Sequence, residues 1–132
     1  QAAIATLETI GRSTQGRDIE ALRLRGSSPP ADSQRPALLI TAHIHAIEFI
    51  GSYVARAVAQ RLATGYGRVR QITELLDAAD VWIVPLLNPD GAARVWHKRG
   101  WTTLAGSRVT ANGVDPNRNF PAVAIAGKPS WN

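Results

Sequence analysis

Two stretches of this chain are almost unbroken in apolar side chains, Ala37 to Ala42 and Val81 to Leu87. Runs of that kind predict strands covered on both faces. Pro85 interrupts the second run and cannot donate to a ladder, so a strand end or irregularity is expected there. Between the runs the period lengthens. Ser52, Arg56, Gln60 and Thr64 form a polar ladder opposite Ile50, Val54, Ala57 and Val58, which predicts a helix stopped by Gly65-Tyr66-Gly67. Val69, Ile72, Leu75, Leu76 and Ala79 repeat at helical spacing and predict a second, shorter helix. Upstream, a weak apolar segment from Ile4 to Ile10 runs into the turn Gly11 to Gly16, and Leu22 and Leu24 then alternate with Arg23 and Arg25. The expected elements are strands near 4–10, 18–25, 37–43 and 81–87 and helices near 48–64 and 69–79. Strand, two helices, strand is an α/β signature.

From Asn88 onward the periodicity fades into turn chemistry. So long a structureless tail is foreign to a complete compact domain, so a functional loop resting on later structure is expected, in a chain that is part of a domain. The length of 132 residues fits one small domain or a piece of one, and 45% hydrophobic content supports a globular core. The absence of cysteine excludes a disulfide scaffold, a cysteine-based zinc finger and a thiol nucleophile. No apolar run approaches the roughly 20 residues that span a bilayer, so no membrane partner is expected. A net charge of +5 favours anionic partners. The cations are dispersed and no stacking aromatics interleave them, which argues against nucleic acid. The chain contains no Met and begins at Gln1, so its N-terminus is read as processed, and an extracellular or periplasmic location is expected.

Chemistry concentrates in three places. Thr41 to Glu48 lies where a buried strand gives way to a helix, the end of an α/β sheet at which ligand sites gather. His45 and Glu48 are three apart and project to one side if Glu48 sits in the first helical turn. Such a pair suits zinc, which takes nitrogen and oxygen donors. His43 shares the strand face and competes as a ligand. The plainer reading makes one histidine a strand cap and Glu48 a first-turn acid favoured by the helix dipole. The second place, Asn88-Pro89-Asp90-Gly91, reads as a structural tight turn. The third runs from Gly113 to Phe120, where Arg118 between Asn117 and Asn119 offers a planar fork for a carboxylate, against the plainer reading of a solvated loop arginine.

Taken in order, these pieces resemble the zinc metallocarboxypeptidases of the carboxypeptidase A/B type. Ile10 to Ile19 resembles the family's early IGxSxxGRxI hairpin, His45-Ala46-Ile47-Glu48 its HxxE zinc motif, Asn88 to Gly91 its NPDG, and Gly113 to Phe120 its GVDxNRNF. The resemblance implies the N-terminal part of a mixed-sheet α/β catalytic domain over residues 1–132, truncated on its C-terminal side. It implies one zinc ion held by His45 and Glu48, with Asp115 behind His45 and Asn117 and Arg118 gripping the free C-terminal carboxylate of a peptide or protein substrate. The third zinc ligand and the general-base glutamate belong beyond Asn132, so the chain alone is expected to be inactive and to need the remaining half of the domain. The alternative is a relative that binds peptide C-termini without hydrolysing them.

The sequence also departs from the pattern. Trp96-His97-Lys98-Arg99 stands where the family writes Trp-Arg-Lys, leaving His97 or Arg99 for the substrate-binding position. Ile47 replaces an arginine inside the zinc motif. Pro116 restricts Asp115 to extended geometry.

Overall fold

The computed structural model describes residues 4–27, 35–97 and 106–119. Strands β1 (Ala5–Arg12) and β2 (Asp18–Leu24) form an antiparallel hairpin whose turn carries Gly16 at φ 78°. Strand β3 (Ala37–Thr41) leads into helices α1 (Phe49–Gly65) and α2 (Arg70–Ala78), and the chain returns along β4 (Asp80–Val84) parallel to β3. Because β2 pairs antiparallel with β4, the four strands make one mixed sheet in the order β1-β2-β4-β3. The fold is mixed α/β, as its alternating periods imply. Strand β4 stops at Val84, immediately before Pro85, where the missing backbone donor required it.

The core lies under the two crossover helices. Leu24, Val81 and Ile83 meet Ala55 and Ala59 of α1 and Leu76 of α2, all buried, with Ile40, Leu62 and Ile72 packed around them. At the start of β4 the buried Asp80 accepts from Arg23 and from Arg35 Nε at 3.0 Å. Arg35 also donates to the carbonyls of Leu76 and Asp77, closing the C-terminal end of α2.

Three expectations need correction. Strand β4 is enclosed, but β3 is one of the two edges of the described sheet, with Leu38 48% and Leu39 64% exposed, so its apolar run is not covered on both faces. Helix α1 is rolled relative to its apolar ladder. Ala55 and Ala59 are buried while Ile50, Val54 and Ala57 face outward, because alanines let the helix axis approach β4 and Ser52 finds an acceptor inside. Lastly, Asn88-Pro89-Asp90-Gly91 opens a third helix, α3 (Pro89–His97). Asn88 Oδ1 accepts from Gly91 N at 2.9 Å as an N-cap, and Pro89 takes the first helical position, where no backbone donor is needed.

Candidate metal centre

Backbone bonds between the carboxyl ends of the two parallel strands form the floor of the site. Ala42 N donates to Val84 O, Leu87 N to Ala42 O and Asn88 N to His43 O, so the segments leaving β3 and β4 stay laddered past the strands themselves. His43 then turns the chain with φ 56°, a left-handed conformation rare for a side-chain-bearing residue. The turn that follows carries His45 and Glu48 into the start of α1, with Glu48 N donating to His45 O at 3.1 Å.

His45 is buried at 5% exposure, and each ring nitrogen faces a carboxylate. Nδ1 lies 2.6 Å from Glu48 Oε1, and Nε2 lies 3.1 Å from Asp115 Oδ1. The second oxygen of Glu48 accepts from His45 N at 3.3 Å. Desolvation opposes the charge on Glu48, but the bonds from the ring and backbone of His45 outweigh it and hold the carboxyl below its usual range. At Asp115, desolvation is likewise outweighed by bonds from Asn117 N–H, His45 and Arg108, and the carboxyl is lowered as well. Both acids are therefore anionic at neutral pH.

A donor set of one imidazole and one carboxylate suits zinc. With Asp115 at Nε2, the ring nitrogen that an ion could take is Nδ1. Two donors on one tetrahedral zinc lie about 3.3 Å apart, so Glu48 would have to swing outward from its 2.6 Å contact. Its side chain is 46% exposed, and the bonds it would give up are its own to His45. The chemistry fits an ion, supplied here with two protein donors. Among the described residues no group of three or more His, Cys, Asp or Glu could hold a metal. His43 is occupied elsewhere: Nδ1 lies 2.8 Å from Ser52 Oγ and Nε2 3.1 Å from Ala46 O.

Segment 106–119 brings Asp115 to this point, and α3 holds the segment. Arg94 donates to Gly106 O at 2.7 Å, Val109 O at 2.9 Å and Thr110 O at 3.3 Å. Asn88 Nδ2 donates to Val109 O at 3.2 Å, and Arg108 pairs with Asp115 at 3.2 Å. A 3₁₀ turn, Pro116–Arg118, follows with Asp115 as its N-cap in extended geometry at φ −77°, ψ 108°, as Pro116 demands. Asn117 and Arg118 are exposed beside it, and the Arg118 guanidinium donates to Asn117 O at 3.1 Å. His97 closes α3, but its side chain, like Arg99, lies outside the described residues.

Asn88, Asp90, Arg94 and Arg108 support the site without having stood out as its residues in the sequence. The dipeptides Asn88-Pro89 and Asp115-Pro116, each an N-cap followed by a first-turn proline, were the available signal. Asp90 is buried and latches the β1–β2 hairpin to α3, accepting from Ser13 Oγ at 2.8 Å, Gln15 N at 3.0 Å and Arg17 at 2.7 Å. A pocket of 380 Å³ opens between α1 and α3, lined by Phe49, Tyr53, Arg56 and Trp96 among others, but His45, Glu48 and Asp115 do not line it. It is adjacent to the donor pair rather than part of it.

Comparison with known proteins places the chain in a family. The zinc carboxypeptidase family model matches residues 1–130. A zinc carboxypeptidase of Saccharothrix mutabilis subsp. capreolus is 32% identical over 120 residues, covering 89% of this chain and 27% of the relative. The inactive metallocarboxypeptidase ECM14 of Saccharomyces cerevisiae is 33% identical over 100 residues, covering 75% of this chain and 23% of the relative. The crystal structure of a metallo-carboxypeptidase from Burkholderia cenocepacia superposes with a TM-score of 0.68 at 27% identity, over 89% of this chain and 28% of that one. The chain thus spans about a quarter of the length of the curated relatives it matches. From its ordered motifs, its mixed sheet and its likeness to these proteins, the chain belongs to the zinc carboxypeptidase family.

Proposed function

We propose that residues 1–132 are the N-terminal part of a catalytic domain that releases C-terminal residues from peptides or proteins, and that His45 and Glu48 are two of the ligands of its zinc ion. The observation that carries this reading is the convergence of His45 Nδ1 and Glu48 Oε1 at the carboxyl end of β3, with Asp115 fixed behind the ring. Family membership supports the choice of zinc. Bound zinc lowers the pKa of water towards about 7 and polarises a carbonyl.

The chain's own residues supply the rest of the arrangement. Asp115 keeps the His45 ring in one tautomer and one plane. Glu48 contributes a charged oxygen on a half-exposed side chain. Asn117 and Arg118, exposed and one or two residues after Asp115, are the proposed grip on the substrate's terminal carboxylate, a guanidinium being suited to a bidentate bond. His97 is the proposed substrate contact at the end of α3. Proton transfer to the leaving amine belongs to residues beyond Asn132 in this reading, so the 132-residue chain alone is inactive. An extracellular or periplasmic setting is part of the proposal and is checked by fractionating the cells that make the protein. Among the described residues no helix is long and apolar enough to cross a membrane.

The test uses the complete protein. It is expected to contain about one zinc per chain and to release C-terminal amino acids from peptides. The substitution H45A should abolish both, and zinc retained in H45A would remove His45 from the ligand set. A second reading, binding of peptide C-termini without hydrolysis, is favoured by likeness to a relative named inactive. Tight, Arg118-dependent binding of peptides that are never cleaved would select it.

A further inference from the structure

We propose that His43 is a positioning residue for the metal site, a clamp that sets the backbone between His45 and Glu48 and so the aim of both donors. The proposal rests on the zinc peptidase reading above and adds a residue that the zinc motif does not include.

His43 has φ 56° in a described chain where every other residue at positive φ is glycine. Glycine would reverse the chain here without strain, so a side chain at this place needs compensation from its contacts. His43 has them at both ring nitrogens and against Phe49, although one side of it lines the pocket between α1 and α3. It is 5% exposed, and both ring nitrogens are engaged. The Ala46 carbonyl can only accept, so Nε2 donates to it at 3.1 Å. Ala46 is the residue directly after His45, and it is fully buried.

On its other side ring Nδ1 lies 2.8 Å from Ser52 Oγ, which lies 2.6 Å from Pro85 O, so the single hydroxyl proton of Ser52 is shared between the ring and the end of β4. One side chain thereby connects three pieces of backbone: the donor turn through Ala46, the first turns of α1 through Ser52, and the end of β4 through Pro85. The ring also packs edge-on against Phe49, the residue after Glu48, with centroids 4.9 Å apart at 84°. His43 therefore touches a residue next to each of the two donors while touching neither. Its own backbone carbonyl accepts from Asn88 N, which links the clamp to the segment entering α3.

Residues that orient metal ligands carry affinity out of proportion to their distance from the ion, with losses of about 10–100-fold when removed. A residue serving only the fold would affect stability and leave the ion's surroundings alone. The experiment compares the complete wild-type protein with H43A, H43N and S52A. Zinc affinity is measured by chelator competition, the cobalt-substituted protein by its visible spectrum, and folding by circular dichroism.

H43A is expected to weaken zinc about ten-fold or more and to shift the cobalt bands. H43N, which tolerates the left-handed backbone and keeps an N–H donor, should recover part of the affinity. S52A keeps the ring but loses its outer anchor and is expected to weaken zinc a few-fold, which keeps the test decisive if H43A does not fold. Folded variants with wild-type zinc affinity and cobalt spectrum would overturn the clamp alone. A complete wild-type protein that binds no zinc would overturn the peptidase reading and the clamp with it.

Discussion

His45 and Asp115 stand seventy residues apart in sequence and 3.1 Å apart in space, ring nitrogen to carboxylate oxygen. Asp115 is half-enclosed and also accepts from Asn117 N at 2.9 Å and from Arg108. If its task is to hold the ring, D115A in the complete protein should raise the zinc dissociation constant about 10–100-fold while the protein stays folded. Zinc titration against a chelator checks this, and an unchanged constant would leave His45 oriented by other contacts.

The Asp90 latch gives a pH dependence with a definite sign. Desolvation raises its pKa, but the bonds from Ser13, Arg17 and Gln15 overcome that, and the folded value lies below the ordinary 3.8. A depressed folded pKa contributes stability that is full above the unfolded value and is lost as pH falls through the folded one. Stability should therefore hold from neutrality to about pH 4 and decline below it. D90N should lower stability at neutral pH by about 2 kcal/mol and flatten the acid decline, Arg17 being too exposed for a larger effect. Thermal midpoints between pH 2 and 7 measure both. An equally steep acid decline in D90N would assign it to other carboxylates such as Asp80, also lowered.

Gly91 is close-packed against the donor turn. A Cβ there would lie 2.8 Å from the Ala46 Cβ and 2.6 Å from Asn88 Nδ2. G91A is expected to cost about 1–3 kcal/mol by overpacking. Because one of the crowded neighbours is Ala46, zinc affinity should fall too. Loss of stability with unchanged metal binding would mean that α3 yields instead of the turn.

Much of this architecture was legible because its signals are local. The apolar runs located β3 and β4, the change of period located α1 and α2, and the spacing of His45 and Glu48 placed both side chains on one side of a turn. The errors share a physical cause. Enclosure of β3 depends on neighbours that a run of leucines does not specify, and the buried face of α1 was decided by how closely Ala55 and Ala59 approach β4 rather than by the larger Ile50 and Val54. Helix α3 escaped because Asn-Pro-Asp-Gly serves both as a tight turn and as a capped helix start, and only the Asn88–Gly91 bond separates them. The clamp around His43 depends on a left-handed φ, which residue spacing does not encode.

Edge strand β3 makes a prediction for the 132-residue chain by itself. Leu38 and Leu39 are exposed on a strand with one unpaired side among the described strands. Such edges recruit other strands. The chain alone should self-associate as its concentration rises, and L39K should reduce this in light scattering without loss of circular dichroism. A wild-type chain that stays monomeric would mean that this edge is shielded.

Asn88-Pro89 and Asp115-Pro116 each begin a helical turn with a polar side chain folded onto backbone and a ring whose torsion is fixed by covalent bonds. Rigidity of that origin does not have to be re-established when a guest arrives. The backbone of the cradle is thus shaped in advance, so that admitting a guest would ask for movement of side chains such as Glu48 rather than of the chain that carries them.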